Sequence, residues 1–170
     1  MNIFYLHPDP KICAEMHNDK HVVKMILETA QMLCTAHRYH SPVEYCEKHD
    51  LFQTAFQYHP STRWCMSTSG NYLWLSNLFD ELNKEYFHRY GSTYTPQTWH
   101  SASRMMDALG HTPLRIPQGK FSEPPQCMPD VFKDDCTVTA YRKYYQYAKA
   151  HFNKWTRRIE PDWVSQKIPL

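Results

Sequence analysis

The chain has 170 residues, the size of one domain able to bury roughly two-thirds of its unfolded surface in a single core. Apolar residues make up 42% and charged residues 21%, with 19 basic against 17 acidic side chains; this excludes disordered and fibrous classes and any function that rests on bulk charge. Its four glycines, Gly70, Gly91, Gly110 and Gly119, are 21, 19 and 9 residues apart. That is too sparse for the GxGxxG or GxxxxGK phosphate cradles, so Rossmann and P-loop chemistry are excluded as well.

Met1 to Leu6 is a short apolar run before His7-Pro8-Asp9-Pro10 and reads as an extended arm or short strand, because proline disfavours helix in the residue before it. From Ile12 to His37 the pattern is helical, with Val22, Ile26, Ala30 and Leu33 on one face, and Ser41-Pro42 ends it. A shorter amphipathic stretch, Val43 to Tyr58, leads to His59-Pro60-Ser61-Thr62, a break followed by capping residues. Arg63 to Tyr90 is a long aromatic-rich helix that stops at Gly91, with Ser67 to Gly70 as a point of interruption.

Residues 92 to 136 carry Pro96, Pro113, Pro117, Pro124, Pro125 and Pro129. Little regular structure is expected there beyond a helix near Ser101 to Leu109, and a loop of that length is more often functional than accidental. The last helix is expected from Thr137 to Trp155, with Asp134 and Asp135 near its positive end. A tail carrying Trp163 follows. The expectation is an all-α fold in one domain, residues 1–170, with an extended N-terminal arm and a long proline-rich loop. The six cysteines form no CxxC pair, and no run is apolar enough for a signal peptide or membrane span. We therefore expect free thiols and a soluble protein of a reducing, cytoplasmic compartment with no membrane partner.

Projected at 100° per residue, His17, His21, Lys24, Glu28 and Thr35 fall within about 60° of one another, between apolar flanks. Such a narrow polar stripe reads either as the lining of an enclosed cleft or as a surface stripe stabilised by an i,i+4 Lys24–Glu28 pair. His17 and His21 also have the spacing of a helical metal pair. Asn18 stands where a zinc protease has its glutamate, and His59, His100 or His111 would be needed to complete a site. Asp19, Lys20, His21 and Lys24 form a dense ionisable cluster in which a lysine amine of lowered pKa can act as nucleophile, for example on a sugar C1′.

Residues 137 to 158 hold Arg142, Lys143, Lys149, Lys154, Arg157 and Arg158 with no acidic residue, interleaved with Tyr141, Tyr144, Tyr145, Tyr147, Phe152 and Trp155. Cations that neutralise phosphates and aromatic faces that stack on bases make a nucleic-acid surface; the structural alternative is a helix whose tyrosines are core. Arg63 with Trp64, and Asn71 with Tyr72, add polar and stacking groups in the central segment.

The segment His17-Asn18-Asp19-Lys20-His21-Val22-Val23-Lys24-Met25 resembles a motif of a family of small, mostly phage-encoded proteins. His59-Pro60, Trp64, Asn71-Tyr72, Met128-Pro129-Asp130 and Tyr141-Arg142-Lys143-Tyr144-Tyr145 extend that likeness over most of the chain. More distantly, the plan is similar to the pyrimidine-dimer DNA glycosylases of the phage T4 endonuclease V type. Like this chain, these have an N-terminal arm, a polar first helix, a central helix ending near Arg-x-Gly (here Arg89-Tyr90-Gly91) and a C-terminal tyrosine-basic word. That resemblance implies an N-terminal amine attacking C1′ of a damaged nucleotide, a carboxylate on the first helix assisting, and strand cleavage by elimination. The chain departs from the pattern at two places. Asn2 disfavours removal of the initiator methionine, and Lys24 lies near the carboxylate position, with Glu28 one turn later; Lys20 or Lys24 is then the expected amine.

The expected function is a DNA glycosylase or glycosylase/AP lyase acting on a damaged or modified base. His17, Asp19, Lys20, His21, Lys24 and Glu28 would be its catalytic residues, and Arg63, Trp64, Asn71, Tyr72, Tyr141, Arg142, Lys143, Tyr145, Lys149 and Lys154 would hold nucleic acid, without a cofactor or a metal. The alternatives are a non-catalytic nucleic-acid or nucleotide binding module and a metal-dependent hydrolase using His17 and His21.

Overall fold

The computed structural model describes residues 1–91 and 100–170, and within them the fold is all-helical with no strand. Residues 92–99, with Pro96 of the proline-rich segment, lie outside the described residues. Seven α-helices are present among the described residues: α1 (Pro10–Met16), α2 (Asp19–His40), α3 (Val43–Lys48), α4 (Pro60–Ser67), α5 (Ser69–Tyr90), α6 (Met106–Leu109) and α7 (Thr137–Ala148). Short 3-10 turns lie at Ser101–Met105, Asp130–Phe132, Ala150–Phe152 and Asp162–Val164. None of the helices is long and apolar enough to cross a membrane. All six cysteines are free thiols.

Local chemistry sets the boundaries. The expected first helix is broken in two, because Asn18 caps α2 by accepting from the His21 N–H at 2.9 Å while Asp9 caps α1 with Pro10 in its first turn. An apolar period can run through such a break without showing it; the cap residue is the signal that marks it. The expected interruption of the central helix falls at Thr68, whose hydroxyl caps α5. The stretch after Pro42 is helical only to Lys48, and the chain then adopts positive φ at Asp50 (45°) and Phe56 (49°). Likewise the last helix ends at Ala148 rather than Trp155.

Helix α2 packs along α5 and α4, and α1 lies on α5. The N-terminal arm runs into this core, with Ile3, Tyr5 and Leu6 at most 1% exposed and Phe4 at 6%. Gly70 accommodates the returning proline-rich loop: a Cβ there would sit 2.4 Å from the Phe121 nitrogen, and its own N–H donates to Gly119 O at 3.0 Å.

One charged network locks the ends of the fold together. Arg89, its side chain wholly buried, donates to Glu85 (2.6 Å), Asp19 (2.9 Å) and the Glu15 carbonyl (3.0 Å). Arg158 reaches Glu85 at 2.8 Å, and Thr156 gives Asp19 both its N–H and its hydroxyl. Burial pushes the Asp19 and Glu85 carboxyls up, but the hydrogen bonds from Thr156, Arg158 and Arg89 outweigh it and hold both below their ordinary values. Removing one partner of such a buried set leaves uncompensated charge behind, at a cost of about 3–5 kcal/mol. Arg89→Met should therefore lower the urea-unfolding free energy by about that amount. Lys84→Ala, which breaks exposed pairs with Asp80 and Glu81 on the same helix, should cost less than about 1 kcal/mol. Equal losses in the two variants would contradict a structural role for the network.

Candidate active site

The polar stripe of α2 does not open onto one chamber. His17, at the end of α1, is fully buried; its Nδ1–H donates to Cys13 O at 2.7 Å, leaving Nε2 buried with no hydrogen-bond partner. His21 is 4% exposed, lies under the Phe4 ring with centroids 4.1 Å apart, and shares a hydrogen bond through Nδ1 with the Tyr145 hydroxyl. Burial is the main cause that lowers His17 to about 4 and His21 to about 2, so both imidazoles are neutral packing groups at neutral pH. Among the described residues no group of three or more His, Cys, Asp or Glu side chains is placed to hold a metal ion, so the His17/His21 pair has no third ligand there.

Asp19, from the same sequence cluster, is engaged in the Arg89 network. Lys20 is exposed, with Nζ 4.9 Å from the centre of the Phe152 ring.

The basic and aromatic residues of α7 are largely occupied within the fold. Tyr145 and Tyr141 are completely buried, and the Tyr141 hydroxyl lies 2.7 Å from both Asn2 Oδ1 and Pro125 O. The Arg142 guanidinium donates twice to Leu6 O and lies over the Trp163 ring. Lys143 is paired with Asp134 at 2.9 Å and Lys149 sits over Tyr144, while Lys154 is exposed.

In the central segment, Trp64 donates to Ser122 O, Asn71 bridges Trp64 O and the Ser122 N–H, and Tyr72 bonds Leu109 O and His37. These three side chains fasten the 109–122 loop. Arg63 is exposed on α4.

A different constellation gathers around Glu28, whose side chain is 14% exposed. Its Oε2 accepts the Asn2 N–H at 3.1 Å and lies 3.9 Å from the Met1 nitrogen, while Oε1 is 3.2 Å from Lys24 Nζ. The Met1 side chain is 1% exposed, with Sδ accepting from the Thr62 hydroxyl at 3.2 Å. Because the residue as a whole is partly exposed, its backbone end is what meets solvent.

His59 completes the group. Its Nδ1 accepts the Ser61 N–H as the cap of α4, which puts the ring proton on Nε2. Burial and the Met1 ammonium lower its pKa and Glu28 partly restores it. Two shallow grooves meet at His59, one along Thr54 to Tyr58 and the other between Pro60 and the Pro125 to Pro129 segment. Asn2 ties the arm to that second wall by donating to Cys127 O at 2.9 Å.

Of the sequence-predicted residues the structure thus brings Lys24 and Glu28 together and separates them from His17 and His21. Sequence reasoning named an N-terminal amine and Asn2 only through the resemblance, Thr62 only as a capping residue and His59 as a helix break, part of the motif and a metal ligand; it placed none of them beside Glu28. The available signal was the uninterrupted apolar run Ile3 to Leu6, which demands burial and so drags the first residue to the helix surface. Comparison with protein-family models, with curated proteins and with solved structures finds no match to this chain.

The buried imidazoles dictate a pH response. With folded pKa values depressed below an ordinary value of 6.5, the unfolded chain binds more protons. Stability is then complete above about pH 6.5 and declines as pH falls towards 4, by up to about 1.4 kcal/mol per pH unit for each imidazole. Asp19 and Glu85, with depressed carboxyl values, lose their contribution only as pH falls below about 4. Unfolding free energies between pH 6.5 and 4.5 should therefore fall steeply in the wild type and less steeply in His17→Leu; identical slopes would contradict a neutral buried His17.

Proposed function

We propose that this chain is a nucleic-acid-processing enzyme, a DNA glycosylase with AP-lyase activity on a damaged or modified base, with the Met1 amine as nucleophile and Glu28 as its acid–base partner. The observation that carries this reading is the amine–carboxylate pair: a buried methionine side chain anchors the Met1 nitrogen 3.9 Å from Glu28 Oε2, and both groups act on the charge of His59, where two open grooves meet.

The chemistry requires a neutral amine, a base to accept its proton and an acid to return one. Glu28 takes a proton from the Met1 ammonium, and the freed lone pair attacks C1′ as the C1′–base bond breaks; the base leaves with its bonding electrons and takes a proton from the attacking nitrogen, which restores that nitrogen's lone pair. The nitrogen lone pair then expels O4′, which receives the proton held by Glu28. The resulting iminium acidifies C2′, whose proton passes to the Glu28 carboxylate as the C3′–O bond breaks and the 3′ phosphate leaves, and water then releases the sugar fragment from the amine. Lys24 holds the second oxygen of Glu28 in place, and its 65% exposed ammonium faces solvent where a phosphate can approach. His59 supplies a neutral Nε2–H beside the pair. Because this reading places the nucleophile on Met1, Lys20 and Lys24 act as cations, and His17 and His21 act as packing.

Borohydride reduction of the protein on an abasic duplex should trap a covalent adduct. Glu28→Gln, which keeps an acceptor for the Asn2 N–H, should slow trapping by about 10²-fold or more, and Lys24→Ala should still trap. Absence of both trapping and base release across lesion-bearing substrates would overturn the proposal.

A further inference from the structure

Apart from His59 at its end, the segment between α3 and α4 has no part in the proposed chemistry, yet it is rigidly built. Arg38 donates to Leu51 O at 2.7 Å and Phe52 O at 3.1 Å. The Thr35 hydroxyl accepts the Ala55 N–H at 3.0 Å and lies 3.2 Å from Ala55 O, and the Tyr39 hydroxyl donates to Gln57 Oε1 at 2.7 Å. The backbone is closed by His59 N–H to Phe56 O at 2.9 Å. A loop pinned at this many points to one helix keeps its shape without a partner.

On this rigid base two aromatic rings are held out into water: Phe56 is 64% exposed and Tyr58 is 76% exposed. Phe56 has a φ of 49°, a backbone region that a bulky L side chain enters only at a cost. That strain gains no burial for the ring. Together with Thr54, Gln57 and His59 the two rings line a groove that ends at His59, the residue whose charge the Met1 amine and Glu28 influence.

We propose that Phe56 and Tyr58 form a stacking platform for unpaired nucleobases of the DNA strand whose reacting nucleotide sits at Met1 and Glu28. The inference rests on the glycosylase/lyase reading and extends it to the strand state of the substrate. Three observations favour a nucleobase as occupant. The groove offers flat π faces with a hydroxyl at Thr54 and the amide nitrogen of Gln57, groups that serve any base through its face and edge. No acidic residue occurs in the 29 residues between Asp50 and Asp80, whereas Arg63 is exposed one turn beyond His59 to meet a phosphate. Thr35, which anchors the loop, lies seven residues along α2 from Glu28, about 10 Å. That spans about three nucleotides at the 3.4 Å spacing of a stacked strand and fewer where the strand is unstacked and extended. The platform therefore grips bases within about three positions of the target, and these must be unstacked from their neighbours to reach it.

The test uses the full-length protein and oligonucleotides carrying 2-aminopurine two or three positions from an abasic site, as single strand and as duplex. Wild-type protein and Glu28→Gln should both bind the single strand more tightly than the duplex and quench the probe. Phe56→Ala/Tyr58→Ala should weaken single-strand binding by at least about 20-fold, since each stacked base contributes a factor of about 5 or more, and should abolish the quench. Leu114→Ala, another exposed apolar position, should change neither. Phe56→Gly should raise the thermal midpoint while weakening binding, because glycine relieves the positive φ. Unchanged affinity and quench in the double variant with an intact melting curve would overturn the platform, as would equal binding of single strand and duplex or no nucleic-acid binding at all. Loss of quench in the double variant without borohydride trapping by the wild type would uphold the platform and remove the lyase reading. Trapping together with an unaffected quench would do the reverse.

Discussion

An extended six-residue arm with both faces buried and no strand beside it among the described residues closes one backbone bond itself, Leu6 N–H to Phe4 O, and must find its other partners among side chains, a requirement that organises the rest of the molecule. Leu6 O is met by both Nε and Nη2 of Arg142, Phe4 O by the Cys13 thiol, the Ile3 N–H by the Asn2 side chain, and the Asn2 N–H by Glu28. Tyr141 closes the arrangement by bonding Asn2 Oδ1 from the opposite side. The arm thus determines what α7 and the α2 stripe do. Arg142 and Tyr141, which look in sequence like phosphate and base contacts, are committed to holding it.

The same constraint separates two environments that the helical projection places side by side. Near the start of α2 the stripe meets Phe4 and Tyr145, and His17 and His21 are buried and held neutral. Further along α2 the start of the arm reaches the helix surface, where Glu28 faces the Met1 amine with one oxygen and the exposed Lys24 with the other. Angular position on a helix says which side chains share a face; only the elements packed on that face decide how deep each one lies.

Much of the helical framework was legible because its punctuation is local. The stop at Ser41-Pro42, the break near Thr68 and the end at Gly91 follow from single residues whose backbone preferences are strong. The split at Asn18 escaped because the apolar period continues through it, and the overlong reading of Val43 to Tyr58 arose because amphipathic spacing persists where Asp50 and Phe56 turn left-handed. At the site, Lys24 and Glu28 were legible as a pair from their i,i+4 spacing. Met1, Asn2 and His59 were not, since their association with Glu28 depends on long-range packing of the arm. The tyrosines of α7 carry no local mark that distinguishes a base-stacking ring from a core ring.

The proposed chemistry depends on an amine delivered by the buried arm to a carboxylate on α2, and the location of the reduced adduct tests it most directly. After borohydride trapping on abasic DNA and tryptic digestion, mass spectrometry should find the sugar-derived mass on the peptide from Met1 to Lys11, attached at the Met1 nitrogen. An adduct on Lys20 or Lys24, or an unmodified Met1 in protein that has turned over, would contradict it.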